Sequence, residues 1–249
     1  MRSYIIGLAG KKGCGKDTVA SMINYIFAVG ATKAKYSNWL VKRVSLDKTH
    51  KDRIIHFADS LKDCLSIIYN IPREYFDNRI YKDELFYCLT TGKFISEKDI
   101  ERFKHGFNII TINTLKNSSI NYELETYDKL IPVIKIRTLM QYFGTNICRD
   151  NLGSDIWIKS TLGKVVDIAM ARRLCIVPDV RFTNEAAALH KDDASLYGRV
   201  IKINRNSCDK DYHDSEIISF TTDYTINNNG SMTELFYQTL DICQKIILK

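Results

Sequence analysis

The run Gly10-Lys11-Lys12-Gly13-Cys14-Gly15-Lys16-Asp17-Thr18 follows the apolar stretch Tyr4-Ile5-Ile6-Gly7-Leu8-Ala9 and precedes Val19-Ala20-Ser21-Met22-Ile23-Asn24-Tyr25-Ile26-Phe27, which reads as a helix. A buried strand, a glycine-rich turn and a helix form the setting that a phosphate-binding loop requires. Gly10, Gly13 and Gly15 admit positive φ, so successive backbone N–H groups can turn inward around a phosphate chain without Cβ clashes. The helix N-terminus adds partial positive charge, and Lys16 would reach the β- and γ-phosphates as a mobile point charge. The residue after that lysine is usually a Ser or Thr that binds Mg²⁺. Here it is Asp17, and the hydroxyl follows at Thr18. Two roles stand open for Asp17, holding Mg²⁺ through a water or acting as a helix-terminal acid, while Thr18 would bond the α-phosphate.

The chain has 249 residues, 45% hydrophobic and 26% charged, as expected of a globular α/β protein with one insertion or a small second lobe. Its net charge of +7 favours anionic partners. The basic residues are spread out with no long tract, which points to small phosphorylated ligands rather than nucleic acid. Seven widely spaced cysteines without a C-x-x-C pair argue for reduced thiols in a cytoplasmic setting. Cys14, inside the loop, reads as a small filler. Neither a signal-peptide pattern nor a membrane-spanning stretch is visible.

Beyond the first helix, 30–51 reads as a connection without periodicity, and 53–58 as a second strand. Asp59 then reads as an N-cap for a helix over 60–69. Lys62 would fall in its first turn, an unfavourable place for a cation, so either a bound anion or plain solvation accounts for it. Residues 107–112 and 120–124 suggest a hairpin within a polar segment, 72–132. Residues 135–148 show helical spacing interrupted at Gly144, with Arg137, Gln141 and Thr145 on one face. A helix from Asp155 to Arg173 carries Trp157.

Leu174-Cys175-Ile176-Val177 reads as a strand covered on both faces. Asp179 and Arg181 follow at its carboxyl end, where open α/β sheets bind ligands. There an acid can organise Mg²⁺ or a sugar hydroxyl, and an arginine can fork onto phosphate oxygens. A helix cap with a salt bridge is the plainer alternative. Further elements are a helix over 186–191, strands over 199–204 and 224–227, a turn at 228–230 and a helix over 231–248. His213-Asp214-Ser215-Glu216 lacks a third ligand at metal spacing and reads as a capped loop.

The motifs taken in order resemble the deoxynucleoside monophosphate kinases of large tailed bacteriophages. The resemblance is carried by Gly15-Lys16-Asp17-Thr18, Phe57-Ala58-Asp59-Ser60-Leu61-Lys62, Arg137-Thr138-Leu139-Met140-Gln141-Tyr142-Phe143-Gly144-Thr145, Asp155-Ile156-Trp157, Ile176-Val177-Pro178-Asp179-Val180-Arg181, His213-Asp214-Ser215-Glu216 and Asn227-Asn228-Asn229-Gly230-Ser231. Only 72–132 matches poorly. The resemblance implies an α/β fold of the P-loop NTPase type, a three-layer sandwich with a mostly parallel sheet. Its core would span 1–71 and 133–249, and 72–132 would be an inserted lid or substrate segment.

It also implies transfer of the γ-phosphoryl of ATP to a deoxynucleoside monophosphate with Mg²⁺, for which the loop offers Asp17 and Thr18 as candidate ligands, directly or through water. Gly13, Cys14, Gly15, Lys16, Asp17 and Thr18 would hold ATP. The acceptor would meet Lys12, Leu61, Lys62, Arg79, Arg137, Gly144, Thr145, Trp157, Asp179, Arg181 and Glu185. Lys12, Lys16, Arg137 and Arg181 would be the catalytic cations. A cytoplasmic enzyme, a homodimer as in the family, and neither a membrane association nor a stable nucleic-acid complex are expected. The loop also resembles that of animal-type phosphomevalonate kinase, and a non-catalytic nucleotide-binding regulator is a reading from another class.

Overall fold

The computed structural model describes residues 2–89, 91–96, 98, 108–111, 130–206 and 220–248. The chain divides into two compact units, Met1–Ala58 with Trp157–Lys249, and Asp59–Ile156.

The first unit is a mixed α/β arrangement around strand β1, Ser3–Ala9. Ile5, Ile6, Leu8 and Ala9 are all fully buried, so the strand must be covered on both faces. Ile6 and Leu8 join a cluster with residues of α1 (Lys16–Val29), α2 (Tyr36–Thr49) and the C-terminal helix Met232–Ile247. Ile5 and Ala9 join the other cluster, with Ile158, Val165 and Leu189. Helices therefore lie against both faces. At Gly7 a Cβ would come within 2.9 Å of Leu189 Cδ1, so the absent side chain lets the helix Thr183–Leu189 pack close to the strand.

The strands flanking β1, Leu174–Val180 and Leu196–Asn204, both pair with it in parallel. Leu196–Asn204 pairs in parallel with Tyr224–Asn227 and antiparallel with Lys191–Asp192, giving a mostly parallel five-stranded sheet. The C-terminal helix starts at a Ser231 cap whose Oγ accepts from the Glu234 N–H, while Glu234 accepts from the Ser231 N–H.

Two expectations for this unit fail. Residues 36–49 form helix α2 where a connection was expected. Trp39 is its one buried residue, so the helix carries no apolar stripe for the sequence to reveal. It is fastened by Trp39 Nε1 donating to Ser21 Oγ (3.2 Å), which donates to Asp47 (2.8 Å). The strand expected at 53–58 shrinks to a single bridge, Ile54 to Ile176, because a 3-10 turn at Lys51–Arg53 precedes it and Ala58 already begins α3.

The second unit holds α3 (Ala58–Tyr69) from Asp59 onward, then a 3-10 turn, Arg73–Phe76, and a π-helix, Ile80–Glu84. A four-stranded sheet follows, with β2 (Phe86–Cys88) antiparallel to both β3 (Phe94–Ile95) and β5 (Leu130–Lys135), and β4 (Asn108–Thr111) parallel to β5. Phe86, Cys88 and Val133 are its buried centre. Of the expected hairpin, 108–111 is a strand, and its proposed partner at 120–124 lies outside the described residues, as does 213–216.

Helix α4, Ile136–Gln141, passes without a break into a π-helix, Tyr142–Arg149, so Gly144 does not interrupt the element. It is buried there against Leu61, with no room for a Cβ (2.8 Å to Leu61 Cδ2). Among the described residues, six cysteines are free and no helix is long and apolar enough to cross a membrane.

Candidate active site

The 10–18 loop leaves the carboxyl end of β1 and enters α1. Gly13 and Gly15 adopt φ of 78° and 100°, the left-handed region that favours glycine. Gly10 is tight for another reason: a Cβ there would meet Cys14 Sγ and come within 2.7 Å of the Ile203 carbonyl. Cys14 is buried at 1% exposure beneath the loop, as a small filler should be. Gly15 caps α1 without any side-chain hydrogen bond, leaving first-turn donors for a ligand.

The Lys16 ammonium folds back over the loop, donating to the Gly10 carbonyl at 2.5 Å and the Lys11 carbonyl at 2.9 Å. From the far end of the chain, Asn228 Nδ2 donates to the Cys14 carbonyl (2.8 Å), and the Asn228 N–H donates to Asn204 (2.8 Å). Arg205 Nη1 donates to the Gly13 carbonyl at 3.3 Å. Neither Asn228 nor Arg205 was singled out for this bracing from sequence, since their partners lie some two hundred residues away. Lys12 is half-buried, Asp17 exposed and Thr18 half-buried.

Asp179 sits at the end of the strand Leu174–Val180, and its two carboxylate oxygens accept the N–H groups of Phe57 and Ala58, both at 3.0 Å. Its carboxylate thus clamps the backbone where the chain leaves the first unit. Glu185, 3% exposed, turns back to accept the N–H groups of Arg181 (2.8 Å) and Phe182 (3.1 Å) through Oε2. That bond holds the Arg181 backbone at the strand's carboxyl end. Trp157 is buried near the start of helix Ile156–Arg172.

The other expected acceptor residues lie in the second unit. Lys62 is 7% exposed, so solvation does not account for it. Asp59 lies inside the first turn of α3 rather than capping it, because the helix starts at Ala58, and Lys62 falls beyond that turn. Acids compensate it: Lys62 Nζ bonds Asp77 at 2.7 Å and Asp59 at 3.5 Å. Arg73 completes the network with Asp59, Asp63 and Asp77. Burial works against the charge of Asp77, yet the hydrogen bond and charge of Lys62, with Arg73, hold its carboxyl below the ordinary value.

Arg137 is held by both oxygens of Asp83, Nε to Oδ1 at 2.5 Å and Nη2 to Oδ2 at 3.2 Å. Leu61 and Gly144 touch, and Thr145 is half-buried on the same π-helix. Arg79 is exposed just ahead of the other π-helix. Sequence reasoning did not find Asp83: an ion pair across 54 positions leaves no local pattern.

Among the described residues no three His, Cys, Asp or Glu side chains gather to hold a metal. Mg²⁺ does not need such a cage, since it keeps several waters and is held by one or two protein oxygens plus substrate phosphates. The exposed Asp17 carboxylate and the adjacent Thr18 hydroxyl, at the mouth of the loop, fit that requirement.

A comparison with known proteins converges on the same chemistry. The deoxynucleoside-5′-monophosphate kinase of Escherichia phage T5 is 24% identical to this chain over 265 residues, covering 97% of this chain and 96% of that protein. The model of the deoxynucleotide monophosphate kinase family matches residues 4–239. A glycine loop braced at both ends, a lysine folded over it and a family match spanning nearly the whole length lead to one conclusion: the chain belongs to the deoxynucleotide monophosphate kinase family.

Proposed function

We propose that the loop at 10–18 holds the phosphates of ATP and that the γ-phosphoryl passes to the 5′-phosphate of a deoxynucleoside monophosphate, giving the diphosphate and ADP. The observation that carries this reading is Lys16 lying over the Gly10 and Lys11 carbonyls beside the uncapped N-terminus of α1. Phosphoryl transfer asks little covalent work of the protein; it needs two polyanions held in line and positive charge where the transition state spreads its own. Lys12, Lys16, Arg137 and Arg181 are the cations assigned to that task. When bound, Mg²⁺ supplies neutralising charge at the β- and γ-oxygens.

Within this reading Gly13, Cys14, Gly15, Asp17 and Thr18 line the triphosphate. Leu61, Lys62, Arg79, Arg137, Gly144, Thr145, Trp157, Asp179, Arg181 and Glu185 serve the monophosphate, some by touching it and Asp179 and Glu185 by fixing backbone. An acceptor phosphate is already ionised, so no general base is required. The central sheet with helices on both faces supports a P-loop NTPase-type three-layer sandwich, and residues 72–132 serve as its inserted substrate segment.

The test is coupled ADP release with dAMP, dGMP, dCMP and dTMP, their ribonucleotide counterparts and a phosphorylated alcohol. ATP consumption that depends on a deoxynucleoside monophosphate is expected. Turnover driven by the alcohol alone, or none with any acceptor, would overturn the proposal.

A further inference from the structure

Lys82 lies in the second unit on the π-helix Ile80–Glu84, next to Asp83, the residue that grips Arg137. Its backbone N–H bonds the Asn78 carbonyl (3.0 Å), but its ammonium makes no hydrogen bond or salt bridge to any described residue. Its surroundings are charged: Arg137 from α4, Asp83 from its own turn, Lys62 from α3 and Asp77 from the preceding turn all act on it. The two acids are already engaged, Asp83 by Arg137 and Asp77 by Lys62 and Arg73. A half-buried ammonium beside two other cations, with the nearby carboxylates occupied, is costly for the protein by itself. A π-turn is also an irregular element of a kind frequently found at functional sites.

A dianion placed among these three side chains would reverse the balance. Each of Lys62 and Arg137 must share an acid with any incoming ligand. Lys82 alone can give its full charge without giving up a partner.

We propose that Lys82 is a direct ligand of the acceptor's 5′-phosphate, acting with Lys62 and Arg137. This rests on the reading of the protein as a monophosphate kinase given above. Burial, then the charge of Arg137, partly offset by Asp83, lower the Lys82 ammonium to about 8. Below that value Lys82 is charged and attracts phosphate. Above it the ammonium is lost while the phosphate stays doubly ionised, so affinity falls as pH rises.

The experiment is calorimetric titration of the full chain, without ATP, by dAMP, dGMP, dCMP and dTMP in turn. Wild type, Lys82→Met and Lys82→Arg are compared at about pH 7 and about pH 9. Wild type should weaken several-fold between the two. Lys82→Met should bind about tenfold or more weakly at the lower pH, as expected for a lost charge-assisted bond, and show little pH dependence. Lys82→Arg should bind well at both, because an arginine stays charged.

Deoxyadenosine, which lacks the phosphate, should distinguish none of the variants. A cation whose folded value is lowered costs stability at neutral pH, so Lys82→Met should melt higher than wild type without ligand, which separates lost binding from misfolding. Monophosphate affinity in Lys82→Met equal to wild type at about pH 7 would overturn the inference. Monophosphate binding without acceptor-dependent ATP consumption would overturn the kinase reading and leave the Lys82 assignment standing.

Discussion

The two units arrange their candidate phosphate-binding groups by different means. In the first, the 10–18 loop offers backbone N–H groups and one lysine that rests on carbonyls of the same loop. In the second, every candidate group is a side chain, and Lys62 and Arg137 are already paired with Asp77 and Asp83. A backbone cradle is set by φ and by the bonds that brace it, so its geometry is fixed whatever occupies it. An ion-pair network can exchange partners, so it can admit or release an anion while keeping its charge nearly balanced. Under the function proposed above, the nucleotide common to every turnover would meet the fixed cradle, and the variable acceptor would draw on the exchangeable one.

The contrast makes predictions of decreasing size. Lys16→Ala removes a preorganised charge acting on the transition state, and kcat should fall by about 10²–10³-fold while circular dichroism shows the fold intact. Near-normal kcat would take Lys16 out of the mechanism. Arg137→Ala should instead raise KM for the monophosphate by about 10- to 100-fold, as expected for one charge-assisted contact, with much less effect on KM for ATP. Equal rises for both substrates would erase the division of labour between the units.

Asp179→Ala leaves the N–H groups of Phe57 and Ala58 without their acceptor and should cost about 1–3 kcal/mol each at most, seen in chemical denaturation. A variant as stable as wild type would mean that Asp179 is there for the ligand alone. Smallest of all, Ser231→Ala should cost about 1 kcal/mol through the lost helix cap and leave steady-state kinetics untouched.

The same contrast explains what the sequence could reveal. The cradle is local: strand β1, the glycines, Lys16 and α1 are contiguous, and their periodicity and turn chemistry stand in one stretch. The doubly covered strand Leu174–Val180 is also legible, because burial on both faces gives it the apolar run Leu174-Cys175-Ile176-Val177. Helix α2 is not, since a helix that buries only Trp39 has no stripe. The second unit's strands β2 and β3 are too short to establish alternation, at three and two residues. Lys62 was visible as an anomaly, but its remedy, Asp77, lies fifteen positions on and only folding brings the two together. Asp83 and Lys82 were hidden for the same reason: their significance depends on Arg137, which no local spacing connects to them.

The bond from Asn228 to the Cys14 carbonyl carries a consequence for synthesis. A segment that leaves the ribosome is braced by one made 214 positions later. A nascent chain can therefore form the turn and its helix early, yet it lacks this latch until the strand Tyr224–Asn227 has been made and has added to the sheet. Until then the Cys14 carbonyl goes without this brace, so the loop reaches its final set of bonds only well after its own strand and helix have formed.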